Sequence, residues 1–282
     1  MGKPKIAVLT GVTSGIGKEV ALGLVRMGYE LFVIARNAEK FESLKQQAVI
    51  IDKMALLHFY QADLSLVKST TTALTRIKED MVSIDLLYQS AGLIPSKIEL
   101  TSEEVEKTFA VSYLTRYLIL KTLLPLILKS NDKMVLNMAG AGQNGRINFE
   151  DINFQNTKFS PIRVVKQFQQ ANDALILYVQ NVYKKDGLRV YCFRPGLVDT
   201  GIHKGWPKRL RFFITKVFGA FFMVSAEKAA KIPLDVVSGT IQTDGILVNE
   251  KGKAVKPSKL LATTDYQNRV IQMSEELLKP LT

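Results

Sequence analysis

Residues 10–17 of this 282-residue chain read TGVTSGIG, set between a short apolar run, KIAVLT, and a stretch of helical periodicity, IGKEVALGLVRMGY. No other feature of the sequence narrows the possible folds as much. Gly11 permits a tight turn at the end of a strand, while Gly15 and Gly17 let backbone approach a pyrophosphate and let the following helix pack on the strand. The start of that helix offers unpaired N–H groups and the positive end of its dipole. Thr13, Ser14 and Ile16 complete the turn, which reads as an anion cradle. Glycines at this spacing are a weak sign alone, and the strand before and helix after them give them meaning.

The chain goes on alternating. Strands are expected at ELFVIAR, LLHFYQADL, IDLLYQSAG, KMVLNMAG and LRVYCFRPG, with a last short one at GILVN. Helices are expected from about Ala38, over roughly 65–80, from Thr101 with a capped start at Ser102–Val105, over about 162–185, and finally near 226–237. Apolar strands alternating with amphipathic helices predict an α/β fold: a Rossmann-type doubly wound parallel sheet of about seven strands with helices on both faces. The length suits one large domain over residues 1–282, with a lid insertion at about 200–225.

The formal charge of +12 favours anionic partners such as a phosphorylated cofactor or an acidic surface, although scattered surface lysines account for it too. No basic stripe is interleaved with stacking aromatics, so nucleic acid is not an expected partner. The single cysteine, Cys192, excludes an internal disulfide framework, fits a reducing compartment and reads as a small core residue. His58 is expected in a strand and His203 in a loop; they lie far apart without ligand spacing, and no metal site is expected. The N-terminus runs straight into a strand, and Ile6 stands where myristoylation needs Ser or Thr. The longest apolar run outside the expected core elements, VFGAFFMV at 217–224, is far short of a membrane span, so a cytoplasmic location is the expectation.

With its TGxxxGxG spacing, the chain resembles the short-chain dehydrogenase/reductase family over nearly its whole length. The second strand ends IARN, with Ala35 where NAD-using members carry an acid, followed by Arg36 and Asn37. A guanidinium can pair with a ribose 2′-phosphate, so the resemblance implies NADP. ADL at 62–64 matches the adenine-contacting Asp-Leu through Asp63 and Leu64, and QSAG at 89–92 matches the Asn-Asn-Ala-Gly turn through Ser90, Ala91 and Gly92. RPGLVDT matches the segment that holds the nicotinamide amide, through Pro195, Gly196, Val198 and Thr200. GIGKEVA, GRINF and the basic, aromatic LRFFITKVFGAFFMVSAEKAA are similar to the retinol-dehydrogenase-like branch. That likeness implies a lipophilic small-molecule substrate, a lid that can touch membrane through about 206–224, and a homodimer surface on the helix at about 102–129.

The family's chemistry uses a tyrosine, a lysine four residues later, a serine and an asparagine. Matching FAVSYL puts Ser112 at the asparagine, and VLNMAG puts Gly140 (Ala139 if the register slips) at the serine. Anchoring on Ala171-Asn172 puts Val165 at the tyrosine and Gln169 at the lysine. Tyr117 and Lys121 repeat the Tyr-x-x-x-Lys spacing but precede the serine strand, and read as structural. An unperturbed phenol, with a pKa of about 10, needs its lysine to act near neutrality; here neither is in place. The weak candidates for replacement groups are Ser112, Lys166 and Gln169, with Asp151 and Asp173 behind them. Two functions follow: an atypical NADP-dependent oxidoreductase acting on an activated carbonyl or imine, or a cofactor-binding pseudoenzyme or scaffold. A non-redox cyclase or isomerase that reuses the pocket is a narrower variant.

Overall fold

A computed structural model of the chain describes residues 3–140, 145–196, 198, 224–241, 243 and 246–281. Seven strands form one sheet in the order β3-β2-β1-β4-β5-β6-β7, every neighbouring pair parallel. They are β1 (Lys5–Thr10), β2 (Tyr29–Ala35), β3 (Leu57–Gln61), β4 (Leu86–Gln89), β5 (Met134–Met138), β6 (Arg189–Phe193) and β7 (Leu247–Val248). The expected doubly wound sheet is the observed one.

The pleat sorts alternate residues to opposite faces. Ala7 and Leu9 of β1, with Leu31 and Val33 of β2, pack under the helices Gly15–Arg26, Ala38–Ile51 and Ala226–Val237. Val8, Phe32 and Ile34 face the other way, onto the helices Val67–Asp80, Lys107–Leu128, Pro161–Tyr183 and Thr264–Leu278. Covered on both faces, the central strands read as unbroken apolar runs rather than alternating ones.

Three boundaries differ from expectation. The long helix starts at Lys107 rather than Thr101, and Glu106 caps it by accepting from the Phe109 N–H at 2.7 Å. The stretch before it is held back by an antiparallel bridge between Leu100 and Glu106, and Glu104 sits at φ 59°. The region 226–237 is not the last helix. Thr264–Leu278 follows it and lies across the helix Lys107–Leu128, where Tyr113 and Ser274 share a hydroxyl–hydroxyl bond of 2.6 Å. The final strand is only Leu247–Val248.

Lys107–Leu128 is long and apolar enough to cross a membrane, but here it is a core helix, with Phe109, Tyr113, Ile119, Leu123 and Ile127 all buried. Its Tyr113, Tyr117 and Lys121 side chains bond Ser274 and Glu275 of the chain's own C-terminal helix. The proposed lid, 206–224, falls outside the described residues except for Val224.

Candidate functional site

Strand order reverses between β1 and β4, and a crevice opens at such a switch point beyond the C-terminal strand ends. Thr10 and Gln89 end those strands side by side, both fully buried, and the Thr10 hydroxyl and the Gln89 carbonyl oxygen have no hydrogen-bond partner. Gly11 follows at φ 71°, and a Cβ there would run into the Ala91 nitrogen and the Ser90 carbonyl carbon. The structure therefore brings Gly11, Ser90 and Ala91 together. Ser14 is the N-cap of the helix Gly15–Arg26, with extended backbone, yet its hydroxyl caps nothing and is exposed. No acid stands in that first turn, so the N–H groups and the Ser14 hydroxyl are left for an anion. Thr13 is half-buried beside them, and Ile16 and Gly17 are buried under the loop. This loop fits a pyrophosphate.

At the end of β2, Arg36 is exposed, and its carbonyl accepts from Gln61 Nε2 at 3.2 Å. Asp63 lies within its electrostatic reach. Burial works to raise the Asp63 pKa, but bonds from the Ser65 N–H (2.9 Å) and Oγ (2.8 Å), with the fields of Arg36 and Lys107, hold it below the usual carboxylate range. Arg36 and Asp63 thus share one rim of the crevice. Asn37 has other work: its Oδ1 accepts from the Lys40 N–H at 2.7 Å and caps the helix Ala38–Ile51. Leu64 is buried, and its carbonyl accepts from Thr115 Oγ1 at 3.0 Å.

Under the other half of the crevice lies a buried polar chain. Ser112 sits in a π-helical turn, Ala110–Leu114, fully buried, with Oγ accepting from the Leu93 N–H at 3.1 Å. Its carbonyl accepts from Asn172 Nδ2 at 2.8 Å, and Asn172 Oδ1 accepts from Asn137 Nδ2 at 2.8 Å. Asn137 Oδ1 in turn accepts from Arg116 Nη1 at 3.1 Å. Arg116 also donates to the carbonyls of Met138 (2.8 Å) and Ala91 (3.1 Å through Nε), and burial pulls its pKa down to about 10. Sequence reasoning missed Arg116, Asn137 and Asn172 as a unit. The sign was there: one arginine inside the apolar run YLTRYLIL, one turn beyond Ser112.

The Ser-Tyr-Lys positions look different again. A Cβ on Gly140 would lie 2.5 Å from Gln169 Cβ and 2.9 Å from its Cγ. The end of β5 and the helix Pro161–Tyr183 are therefore in direct contact where a serine side chain would stand. Val165 is half-buried one turn before Gln169 and carries no proton to give. Lys166 is exposed on that helix and lines a cavity with Arg163 and Gln167. Asp173 is buried, and its carboxylate accepts from the Cys192 thiol at 3.2 Å, so both belong to the core. Asp151 is occupied in its own loop by the Gln155 and Asn156 N–H groups and Thr157 Oγ1. Tyr117 and Lys121 both bond the Glu275 carboxylate and are structural.

On the last side, Arg194 pairs with Glu250 at 3.0 Å just before Pro195 and Gly196, the latter at φ 74°. Val198 bridges to Val224, while Thr200 and His203 lie outside the described residues.

Comparison with known proteins agrees with this arrangement. Residues 5–210 match the short chain dehydrogenase family. Human retinol dehydrogenase 13 is 28% identical over 210 residues, covering 71% of this chain and 62% of the relative. Dehydrogenase/reductase SDR family member 12 of Bos taurus is 26% identical, covering 71% of this chain and 63% of the relative. The matched part thus spans a little under two thirds of each of these relatives. Among solved structures, a protein of Mycobacterium paratuberculosis superposes with a TM-score of 0.72 at 21% identity, covering 98% of this chain and 93% of the other. An alcohol dehydrogenase from the archaeon Thermococcus sibiricus, complexed with 5-hydroxy-NADP, superposes at 0.63 and 21% identity, covering 84% and 91%. A chain built this way, and matched this widely, belongs to the short-chain dehydrogenase family, and retinol dehydrogenases are among the relatives it is similar to.

Proposed function

We propose that this chain is an NADP-dependent oxidoreductase acting on a lipophilic carbonyl or imine compound that is activated enough to react without a tyrosine–lysine pair. One observation carries the reading: Arg36 stands exposed at the crevice rim after a neutral Ala35, beside a phosphate loop whose helix start is uncapped and free of acids. An acid at Ala35 would repel a 2′-phosphate, whereas a guanidinium can pair with it. The Ser14 hydroxyl and the helix N–H groups would hold the pyrophosphate, Arg36 the 2′-phosphate, and Asp63 the adenine end. A bound nicotinamide would supply the hydride. The chain's own part is to bind and to orient. The lipophilic substrate class rests on the likeness to retinol dehydrogenases.

A second reading has its own observation. The contact between Gly140 and Gln169 fills the place of the acid–base machinery, which favours a cofactor-binding pseudoenzyme. Fluorescence titration with NADPH and NADH, followed by single-turnover assays with an aldehyde and a cyclic iminium, separates the two. NADPH-selective binding with NADPH oxidation supports the oxidoreductase. NADPH-selective binding without turnover supports the pseudoenzyme, and absence of binding sinks both.

A further inference from the structure

Between the first turns of the helix Pro161–Tyr183 and the loop 145–157 a cavity of about 390 Å³ opens. Its lining includes Arg146, Arg163 and Lys166, with the neutral Asn148, Thr157 and Gln167 between them. Phe154 and Gln167 are buried at its base. Gln167 is fixed, since its Oε1 accepts from the Asn148 N–H at 3.0 Å and its Nε2 donates to the Ile152 carbonyl at 3.0 Å. Gly145 presses on the same helix face: a Cβ there would sit 2.5 Å from the Lys166 carbonyl oxygen. The wall is therefore built to a fixed spacing.

Among the described residues the lining holds three cations and no carboxylate, and no ion pair or hydrogen bond engages the side chains of Arg146, Arg163 or Lys166. Of the two acids on the loop, Glu150 pairs with Arg269 at 3.4 Å, and Asp151, bonded by its own loop, accepts from Thr157 Oγ1 at 2.8 Å without pairing to any of the three cations. Two guanidiniums and an ammonium converging on one concavity repel one another unless an anion joins them, and their donors match the oxygens of a phosphate group. The volume lies in the range of small-molecule sites.

We propose that this cavity binds a phosphate group borne by a small molecule or a lipid head, at a site separate from the nucleotide crevice. Arg146, Arg163 and Lys166 grip the phosphate oxygens, Asn148 adds a neutral hydrogen bond, and Phe154 supports the body of the ligand.

The test is calorimetric titration of the full chain with inorganic pyrophosphate, with and without excess NADPH to occupy the nucleotide crevice, on wild type and on Arg163→Ala/Lys166→Ala. A parallel flotation assay uses vesicles with and without phosphatidylinositol phosphate. The double variant is expected to weaken about tenfold or more the pyrophosphate binding that persists when NADPH is present. Flotation that depends on the phosphoinositide and is lost in the double variant identifies a lipid head as the source; pyrophosphate binding alone identifies a free phosphate compound. Pyrophosphate binding that survives the double variant unchanged, or no binding in either arm, overturns the proposal. Both altered positions are exposed, so loss of folding does not confound the result.

Discussion

The Tyr117 hydroxyl donates to the same Glu275 carboxylate that Lys121 grips at 2.6 Å, so one side chain of the C-terminal helix ties down two of the long core helix. Burial works to raise the Glu275 pKa, but the Lys121 and Tyr117 bonds outweigh it and hold the carboxyl below its usual value. A carboxyl with a lowered folded-state pKa stabilises the fold above its unfolded pKa and loses that contribution as pH falls through the folded one. Glu275→Gln is therefore expected to cost about 0.5–1 kcal/mol at pH 7, a modest figure because the group is half exposed to solvent. The difference from wild type should shrink as pH drops from about 5 toward 3. Thermal melts of both proteins across that range check it, and a gap that widens with acid would contradict the assignment.

Replacing Gly140 by serine is expected to destabilise by about 1–3 kcal/mol, because the new Cβ meets Gln169 in a packed wall. Adding Gln169→Gly removes the Cβ at 2.5 Å and should recover part of the loss, less about 1 kcal/mol for a glycine inside a helix. Urea denaturation of the two single variants and the double variant measures that coupling. Additive effects would mean the two side chains do not compete for one space.

Arg36→Asp is expected to weaken NADPH binding about tenfold or more while NADH binding changes little, since only the former presents a 2′-phosphate. Equal losses for both nucleotides would remove Arg36 from that role. The substitution is on an exposed side chain, so melting temperature should stay near wild type.

Arg116→Leu is expected to cost about 3 kcal/mol or more, because the buried carbonyls of Ala91 and Met138 and the Asn137 amide oxygen lose their donor. Chemical denaturation reports the size of the loss. A neutral outcome would show that burying the cation costs as much as its bonds return.

Much of this was legible in the residues. The glycine turn between strand and helix fixed the first βαβ unit, and the apolar strand runs implied a sheet covered on both faces. The placement of Arg36, Asp63 and the glycine turn at strand ends was also readable, since the periodicity gives those ends. Asn37 was misread in part, because an N-cap and a ligand contact use the same side chain. The helix start was placed one turn and a half early, because Ser102 and Val105 imitate a capping pattern while Glu106 does the capping. The C-terminal helix escaped notice although Thr263 and the periodicity of TDYQNRVIQMSEELL mark it. The polar chain from Ser112 through Asn172 and Asn137 to Arg116 could not be read from spacing, because it joins two helices and a strand through tertiary contacts.

The close approach of Gly140 to Gln169 also bears on descent. A chain can lose a catalytic serine and later regain it by one substitution only if the space stays open. Here the space is taken by backbone and by a glutamine stem, so a serine returning alone would meet a collision before any chemistry. A lysine returning at Gln169 alone would have no tyrosine to serve. A side chain at position 140 therefore calls for a second change that clears the Gln169 stem. Selection on this lineage is left to act on whatever the pocket does now.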